Sequence, residues 1–253
     1  MKIAIAGKGG SGKTTIAGIL ARLLSQRGHE VWAIDADSNP NLGATMGVPL
    51  ERVKAIKPLE AGILKEATDE KGQRTMQLAL QPREVARKFG LPAGDRLTLL
   101  LMGTVDHAGE GCMCGAHAAV RHLLNGMQEE NVITVVDMEA GLEHLSRGTD
   151  RHVDTLLVVA EPYFKALETA RRCVELGQEL KIPRVAAVAN KFRSADDLQA
   201  VRKYATAHEI PLLGEVPYEE KIQNADLSGA ALALGEPNAA VAAIERIAFE
   251  LGL

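Results

Sequence analysis

The sequence predicts an α/β protein with a doubly wound, mostly parallel sheet of about seven or eight strands flanked by helices. Short apolar runs alternate with longer helical patterns along all 253 residues, and most of these runs are continuously apolar. Strands covered by helices on both faces have this composition, because neither face meets water. The β-α-β-α order therefore indicates a doubly wound sheet, and we expect one domain over residues 1–253.

The individual elements follow from these runs and from the helical spacing between them. The predicted strands are residues 2–6, 30–34, 76–80, 97–102, 132–136, 155–160, 185–189 and 212–216. The predicted helices are residues 13–27, 116–129, 165–180, 195–208 and 238–251. The stretch 50–74 is rich in Lys and Glu, and it is predicted to be a solvated insertion.

The composition argues against several classes of protein. The net charge of -4 disfavours general nucleic-acid binding, which calls for a basic face. No apolar run is long enough to span a bilayer, and the first run leads straight into glycines, unlike a signal peptide. We therefore expect a cytoplasmic protein that binds neither nucleic acid nor membrane. Three cysteines do not make a disulfide framework.

The segment that follows the first strand, GKGGSGKT at residues 7–14, matches the phosphate-loop pattern G-x-x-x-x-G-K-[ST]. Glycines let several backbone N–H groups face one anion, and the helix that follows adds its positive end. Lys13 supplies a charge for the β- and γ-phosphates, and the Thr14 hydroxyl supplies a ligand for Mg²⁺. A glycine-rich turn without a ligand is the alternative. The predicted nucleotide-binding residues of the loop are Gly9, Gly10, Ser11, Gly12, Lys13, Thr14 and Thr15.

Lys8 makes this loop more distinctive. Residues 8–14 resemble the deviant Walker A loop of the family that includes MinD, ParA, the arsenite-pump ATPase and the nitrogenase iron protein, which are P-loop NTPases of the SIMIBI class. The resemblance implies that Lys8 reaches the partner's phosphates in a homodimer that sandwiches ATP. A second cation near the transferred phosphoryl group would stabilise its charge, so Lys8 and Lys13 are both predicted to be catalytic. The alternative for Lys8 is a solvated loop lysine.

Residues 35–42, directly after the second predicted strand, resemble switch I of this family. The resemblance implies that Asp37 orients or activates the attacking water, with Asp35 as the neighbouring acid. Carboxylates at the carboxyl end of a parallel strand do face the ligand crevice. The alternative is a plain Asx turn before Pro40.

Residues 137–141 follow another predicted strand and resemble a Walker B motif merged with switch II. The resemblance implies that Asp137 holds Mg²⁺ and that Gly141 offers its backbone N–H to the γ-phosphate. A γ-phosphate that comes and goes can order or release such a loop. Glu139 and Glu143 are interpreted as surface or interface acids.

The base is expected to contact two loops further along the chain. In this family an Asn at the position of Asn190 reads the adenine edge, and Lys191 follows it. Guanine-specific relatives have the pattern N-K-x-D, whereas Arg193 stands at the fourth position here, which favours ATP. Pro217 matches the second base-contacting loop by position.

Cys112 and Cys114 form a C-x-C pair between a predicted strand and a predicted helix. Thiols at i and i+2 lie on the same side of an extended backbone, and a helix start lowers the pKa of a nearby thiol. Two thiolates fill half of a tetrahedral site, so a second copy across a two-fold axis would complete a four-thiolate site, which Zn²⁺ can occupy. His107 and His117 are rival ligands, although each is interpreted as a surface histidine. The alternative for Cys112 and Cys114 is that they are two core thiols beside a tight turn. Cys173 is predicted to be a core thiol.

The motifs together resemble the CooC-type ATPases that mature nickel enzymes. The resemblance rests on residues 8–14, 35–42, 102–114 and 137–148 and extends over the whole chain. It implies a metallochaperone that hydrolyses ATP and inserts nickel into the Ni–Fe–S cluster of carbon monoxide dehydrogenase, with that enzyme or acetyl-CoA synthase as client. The C-terminal residues 244–253 are not basic, unlike the membrane-binding tail of MinD.

Three other functions remain open from the sequence. A scaffold that carries an iron–sulfur cluster between its subunits needs the same four thiolates. A ParA- or MinD-like positioning ATPase with incidental cysteines would bind DNA or membrane, which the acidic charge disfavours. A P-loop kinase is the third, although no phosphoacceptor pocket can be inferred.

Overall fold

The computed structural model describes residues 1–59, 61–68, 72–103, 114–127, 131–141 and 152–253. Its strands are β1 Lys2–Gly7, β2 Val31–Ala36, β3 Leu64–Thr68, β4 Arg74–Leu78, β5 Leu91–Gly94, β6 Leu97–Leu101, β7 Ile133–Met138, β8 Thr155–Ala160, β9 Arg184–Phe192 and β10 Leu212–Pro217. Its helices are α1 Lys13–Gln26, α2 Leu42–Thr45, α3 Leu50–Lys54, α4 Pro82–Phe89, α5 Cys114–Gly126, α6 Phe164–Glu179, α7 Ala195–Ala207, α8 Glu220–Leu227 and α9 Ala239–Glu250. One 3₁₀ turn spans Ala61–Ile63.

The main sheet confirms the predicted fold class. Within the described residues it has eight strands in the order β10-β9-β8-β1-β7-β2-β6-β5. Every neighbouring pair is parallel except β5, which runs antiparallel to β6 at one edge. β1 lies in the middle of this sheet, between β7 and β8. The crossovers from β1 outward in both directions make the sheet doubly wound.

Side chains alternate between the two faces of the sheet and supply a core on each. On β1, Ile3 and Ile5 pack into a core that includes α1 and α9. Ala4 and Ala6 face the opposite core, which includes α5 and α6. Each fully buried Ile contributes about 1.5–3 kcal/mol to folding, so the continuous apolar runs that predicted the strands also hold the layers together.

One predicted strand belongs to a different part of the molecule. The predicted strand at residues 76–80 overlaps β4, but β4 pairs antiparallel with β3 in a separate two-stranded sheet. Residues along both strands are exposed or half-buried, because this hairpin has one covered face at most. The insertion at 50–74 therefore contains α3, the 3₁₀ turn and β3, none of which its Lys- and Glu-rich composition predicts.

The other predicted strands agree with the structure to within three residues at each end, and the predicted helices to within two where their ends are described. The end of the helix predicted at 116–129 lies partly outside the described residues. The short elements α2, α4, α8 and β5 were not predicted, since each has too few residues for a clear period. None of the helices in the described part of the chain is long and apolar enough to cross a membrane.

Candidate nucleotide-binding site

The predicted phosphate, switch and base segments come together at one edge of the main sheet. The carboxyl ends of β1, β2, β7, β9 and β10 lie at this edge, because these strands are parallel. In an open α/β sheet, ligands bind in the crevice at this edge. The predicted site residues at this edge therefore come from the ends of these five strands and from the loops that follow them.

The phosphate loop is a tight turn between β1 and α1. The Ser11 N–H donates to the Lys8 carbonyl oxygen at 3.2 Å, and the Lys13 Nζ donates to the same oxygen at 3.3 Å. Gly12 occupies the N-cap position of α1 in a left-handed conformation, with φ of 95°. Because Gly12 has no side chain that could cap the helix, the first backbone N–H groups of α1 remain available to an anion in the crevice. Lys13 is 7% exposed, whereas Lys8 is exposed.

Residues at the end of β9 hold this turn from behind. The Asn190 Nδ2 donates to the Ser11 carbonyl oxygen at 2.7 Å, and the Lys191 Nζ donates to the Gly10 carbonyl oxygen. A Cβ at Gly12 would lie 2.3 Å from the Asn190 Nδ2, so only glycine fits there. The amide nitrogen of Asn190 thus contacts the phosphate loop, and its role in reading adenine stays a prediction.

Two buried carboxylates lie behind the loop, at the ends of adjacent strands. Asp35 on β2 is directly opposite Asp137 on β7 in the strand register. Burial raises the pKa of Asp35 to about 8, and the charge of Asp137 adds to the rise. Burial likewise raises the pKa of Asp137 to about 7, although a hydrogen bond from Thr14 and the charge of Lys13 lower it. Two carboxylates in this environment ionise only at a cost, which a bound cation would offset.

The donor set fits a magnesium ion that accompanies a nucleotide. The Asp137 Oδ1 is buried and has no hydrogen-bond partner among the described residues, and the Thr14 side chain is near enough to lower the pKa of the same carboxyl group. Mg²⁺ is commonly held by one or two carboxylates, waters and the phosphates of the substrate. No group of three or more His, Cys, Asp or Glu side chains capable of holding a metal occurs in the described ranges, so the nucleotide would have to supply the remaining oxygens.

The loop after β2, residues 37–41, is wrapped around the Asp35 carboxylate. Asp35 accepts hydrogen bonds from the Leu42 N–H at 2.8 Å and from the Asp37 N–H at 3.2 Å. The Asp37 carboxylate in turn accepts the Asn39 N–H at 2.9 Å, which is an Asx turn. The segment therefore forms the Asx turn that was the alternative interpretation. This turn does not exclude the switch I interpretation, in which Asp37 orients the attacking water.

The described residues that follow β7, 139–141, reach back to the phosphate loop. The Gly141 N–H donates to the Gly7 carbonyl oxygen at 3.2 Å, and Gly141 has a φ of 100°, which favours glycine. The Glu139 carboxylate accepts a hydrogen bond from the Ser38 hydroxyl at 2.9 Å. Glu139 is half-buried at this contact, and its interpretation as a surface or interface acid stays a prediction. Glu143 lies outside the described residues.

The crevice continues as two adjoining clefts. The first has a volume of about 470 Å³ and is lined by the phosphate loop together with Asn41, Thr45 and α8. The second has a volume of about 360 Å³ and is lined by Asn190, Lys191 and the loop at Pro217. The two share Thr15 and Lys191, so one ligand with a phosphate end and a base end would extend through both.

The second cleft contains charged and aromatic groups whose contacts the sequence does not reveal. The Arg193 guanidinium lies 3.5 Å from the centre of the Tyr218 ring. The Lys191 Nζ forms an ion pair with Glu161 at 3.2 Å. Glu161 was not among the predicted site residues, although its position just after β8, at the same sheet edge, was a usable signal.

One of the two predicted metal-binding cysteines falls within the described residues. Cys112 and His107 lie outside the described residues, and Cys114 is the first residue of α5. His117 on α5 is 5% exposed, so its interpretation as a surface histidine is wrong. Cys173 is buried in α6, which confirms it as a core thiol, and its Sγ lies 4.0 Å from the Gly141 carbonyl oxygen.

Comparisons with known proteins agree with this geometry. A family model described as the CobQ/CobB/MinD/ParA nucleotide binding domain matches residues 2–232. The carbon monoxide dehydrogenase accessory protein CooC of Rhodospirillum rubrum is 42% identical over 90% of this chain and 88% of its own length.

Solved structures share the fold. The cell division ATPase MinD of Pyrococcus furiosus superposes with a TM-score of 0.74 at 20% identity, over 99% of this chain and 98% of its own. MinD of Pyrococcus horikoshii, solved with Mg-ADP, superposes with a TM-score of 0.72 at 18% identity, over 99% and 95%. The chain therefore belongs to the CobQ/CobB/MinD/ParA nucleotide-binding family, and within it to the ATPases of the CooC type.

Proposed function

We propose that this protein is a homodimeric, ATP-hydrolysing metallochaperone that inserts nickel into the Ni–Fe–S cluster of carbon monoxide dehydrogenase or delivers it to acetyl-CoA synthase. The observation that carries ATP use is the crevice lined by the phosphate loop at the N-terminus of α1, with the buried Asp137 near enough to Thr14 and Lys13 for both to lower its pKa. The similarity to a carbon monoxide dehydrogenase accessory protein supports the client.

Each residue of the crevice has a role that its position supports. The N–H groups from Gly9 to Thr15 and the Lys13 ammonium bind the phosphates, while Asp137 and Thr14 hold the Mg²⁺ that neutralises them. Lys8 is exposed at the mouth of the loop, where it can meet the phosphates bound to a second copy. Positive charge placed next to the negatively charged γ-phosphoryl oxygens stabilises the transition state in which this group is transferred to water.

Asp37 orients the attacking water, and Gly141 senses the γ-phosphate. In the structure the Gly141 N–H donates to the Gly7 carbonyl oxygen. A γ-phosphate oxygen is a stronger, charged acceptor, so its arrival draws the Gly141 N–H away and its hydrolysis lets the original bond form again. The loop after β7 thereby changes position once per ATP.

Nickel is the cargo of this cycle. Cys112 and Cys114 from each subunit form a four-thiolate site when ATP brings two copies together, and hydrolysis separates them. Thiolates bind Zn²⁺ as well and copper more tightly, so selection of nickel rests with the client rather than with affinity. Release to the client follows when the two cysteine pairs part.

The test is the mass and metal content of the full chain with and without a non-hydrolysable ATP analogue. We expect the analogue to produce a dimer with one Ni²⁺ or Zn²⁺, and Cys112→Ser/Cys114→Ser to dimerise without metal. Lys8→Ala should stay monomeric while it still binds nucleotide. Equal metal binding by the parent and the double cysteine variant contradicts the cysteine site.

Two other outcomes would replace the proposal with a different function. Visible absorbance of anaerobically purified protein, lost in the double cysteine variant, indicates a bridging iron–sulfur cluster. ATP-dependent binding to DNA or to anionic vesicles indicates a positioning ATPase. The matched control in both cases is Glu66→Ala, which changes an exposed residue of the β3–β4 hairpin.

A further inference from the structure

We infer that Ser38 and Glu139 act as a pair of positioning residues that couple the loop after β2 to the loop after β7 during ATP hydrolysis. The inference rests on the proposed ATPase function. It concerns the hydrogen bond in which the Ser38 Oγ donates to the Glu139 Oε1 at 2.9 Å, referred to below as the inter-loop bond.

The inter-loop bond joins two segments that leave the sheet side by side. β2 and β7 are parallel neighbours, with Ala36 opposite Met138 at the end of the register. Each strand then continues into a loop, and Ser38, two residues after Ala36, meets Glu139, one residue after Met138. Because both are half-buried, water competes for the bond less than it would at an exposed position. A carboxylate acceptor also makes the bond stronger than one between neutral groups.

Both ends of the inter-loop bond are close in sequence to groups with proposed roles in hydrolysis. Asp37 directly precedes Ser38, and Gly141 lies two residues after Glu139. Asp37 is held on its own side by its N–H bond to Asp35 and by the Asn39 N–H. The first loop is therefore a stiff turn, and the inter-loop bond fixes how that turn sits relative to the second loop.

This arrangement transmits a movement. When the Gly141 N–H leaves the Gly7 carbonyl oxygen, the peptide units next to Gly141 move, and Glu139 moves with them. The inter-loop bond then carries Ser38 and the adjoining Asp37 in the same direction. The carboxylate that orients water reaches its working position only when the γ-phosphate is bound, which limits futile attack by water.

The bond is not required to fold either loop. The first loop is already ordered by the two backbone bonds to the Asp35 carboxylate. The second is joined to the phosphate loop through Gly141. Loss of the inter-loop bond should therefore leave nucleotide binding intact and slow hydrolysis, which distinguishes a positioning role from a structural one.

The experiment is a double-mutant cycle on the full chain, with Ser38→Ala, Glu139→Ala and the combination of both. Steady-state ATPase activity gives kcat and KM, and a fluorescent ATP analogue gives the dissociation constant. We expect each single variant to lower kcat by about tenfold, with the dissociation constant changed by less than about twofold. The combined variant should lose no more than Glu139→Ala alone, because Ser38→Ala removes a bond that Glu139→Ala has already removed.

Glu139→Gln provides the rescue, because its amide oxygen still accepts the Ser38 hydroxyl; it should keep kcat within about threefold of the parent. Glu66→Ala is the matched control for loss of a glutamate. If the losses in kcat of the two single variants multiply in the combined variant, the coupling between Ser38 and Glu139 is overturned. It is also overturned if nucleotide affinity falls as much as kcat does. Neither result contradicts the proposed ATPase function. A parent protein that hydrolyses no ATP overturns the proposed function together with the coupling.

Discussion

The phosphate half and the base half of the crevice are built differently. In the phosphate half, the polar groups Ser11, Lys13, Asp35 and Asp137 are buried to 93% or more. In the base half, Arg193 is exposed and Tyr163 is 66% exposed. Charge on phosphates and Mg²⁺ must be matched by groups already in place, because reorganising charged groups during catalysis is costly. A flat aromatic base can be bound by a few stacking surfaces that remain in contact with water.

The largest effect should therefore come from the phosphate half, with Lys13→Ala. Loss of a nearly buried ammonium should weaken binding of Mg·ATP by about 100-fold, or about 3 kcal/mol. Isothermal titration calorimetry measures this directly, with the exposed Lys54→Ala as control. Unchanged affinity would mean that the GKT segment does not bind phosphate.

Asp137→Asn should give two effects of opposite sign. The carboxyl group is costly to ionise where it is, so the free energy of unfolding of the nucleotide-free protein should stay the same or rise. Mg²⁺-dependent affinity for ATP should fall by about 10- to 100-fold. Chemical denaturation and nucleotide titration with and without Mg²⁺ test both, with exposed Asp95→Asn as control. If Asp137→Asn weakens ATP binding equally with and without Mg²⁺, Asp137 does not act through the metal ion.

Gly12→Ala tests how tightly β9 holds the phosphate loop. The new Cβ would lie 2.3 Å from the Asn190 Nδ2 at a φ of 95°, so we expect a loss of about 1–3 kcal/mol in the free energy of unfolding. Gly10→Ala is the matched control, because Gly10 has a φ of 80° but no atom within 4 Å of an added Cβ. Equal destabilisation in the two variants would assign the loss to backbone strain alone.

The smallest effect should come from the base half, with Arg193→Ala. Removing a guanidinium that stacks on Tyr218 should raise the dissociation constant for ATP by about two- to fivefold. Binding of inorganic tripolyphosphate, which has no base, should not change. Tyr218→Phe keeps the ring and should behave as the parent does. A similar loss for tripolyphosphate would mean that Arg193 acts on the phosphates instead.

The same contrast explains what the sequence could predict. The phosphate loop and the strands of the parallel sheet follow from local patterns, namely glycine spacing and continuous apolar runs. The bond from Ser38 to Glu139 joins residues 101 positions apart, and no local pattern encodes that contact. Asn190 was expected to contact the base, and its amide nitrogen contacts the Ser11 carbonyl oxygen. The end of β9 lies next to both the phosphate loop and the base cleft, and the sequence does not show which of the two a side chain there contacts. The β3–β4 hairpin was missed since its half-exposed residues lack a clear alternation.

The central position of β1 has a consequence for biosynthesis. β1 leads directly into the phosphate loop, but the residues that pair with Lys2 and Ile3 are Thr134 and Thr155. A nascent chain on the ribosome therefore exposes its glycine-rich N-terminus long before either flanking strand has been made. Contacts this distant in sequence form late. The phosphate loop therefore cannot be held in its place in the sheet before β7 and β8 have been translated.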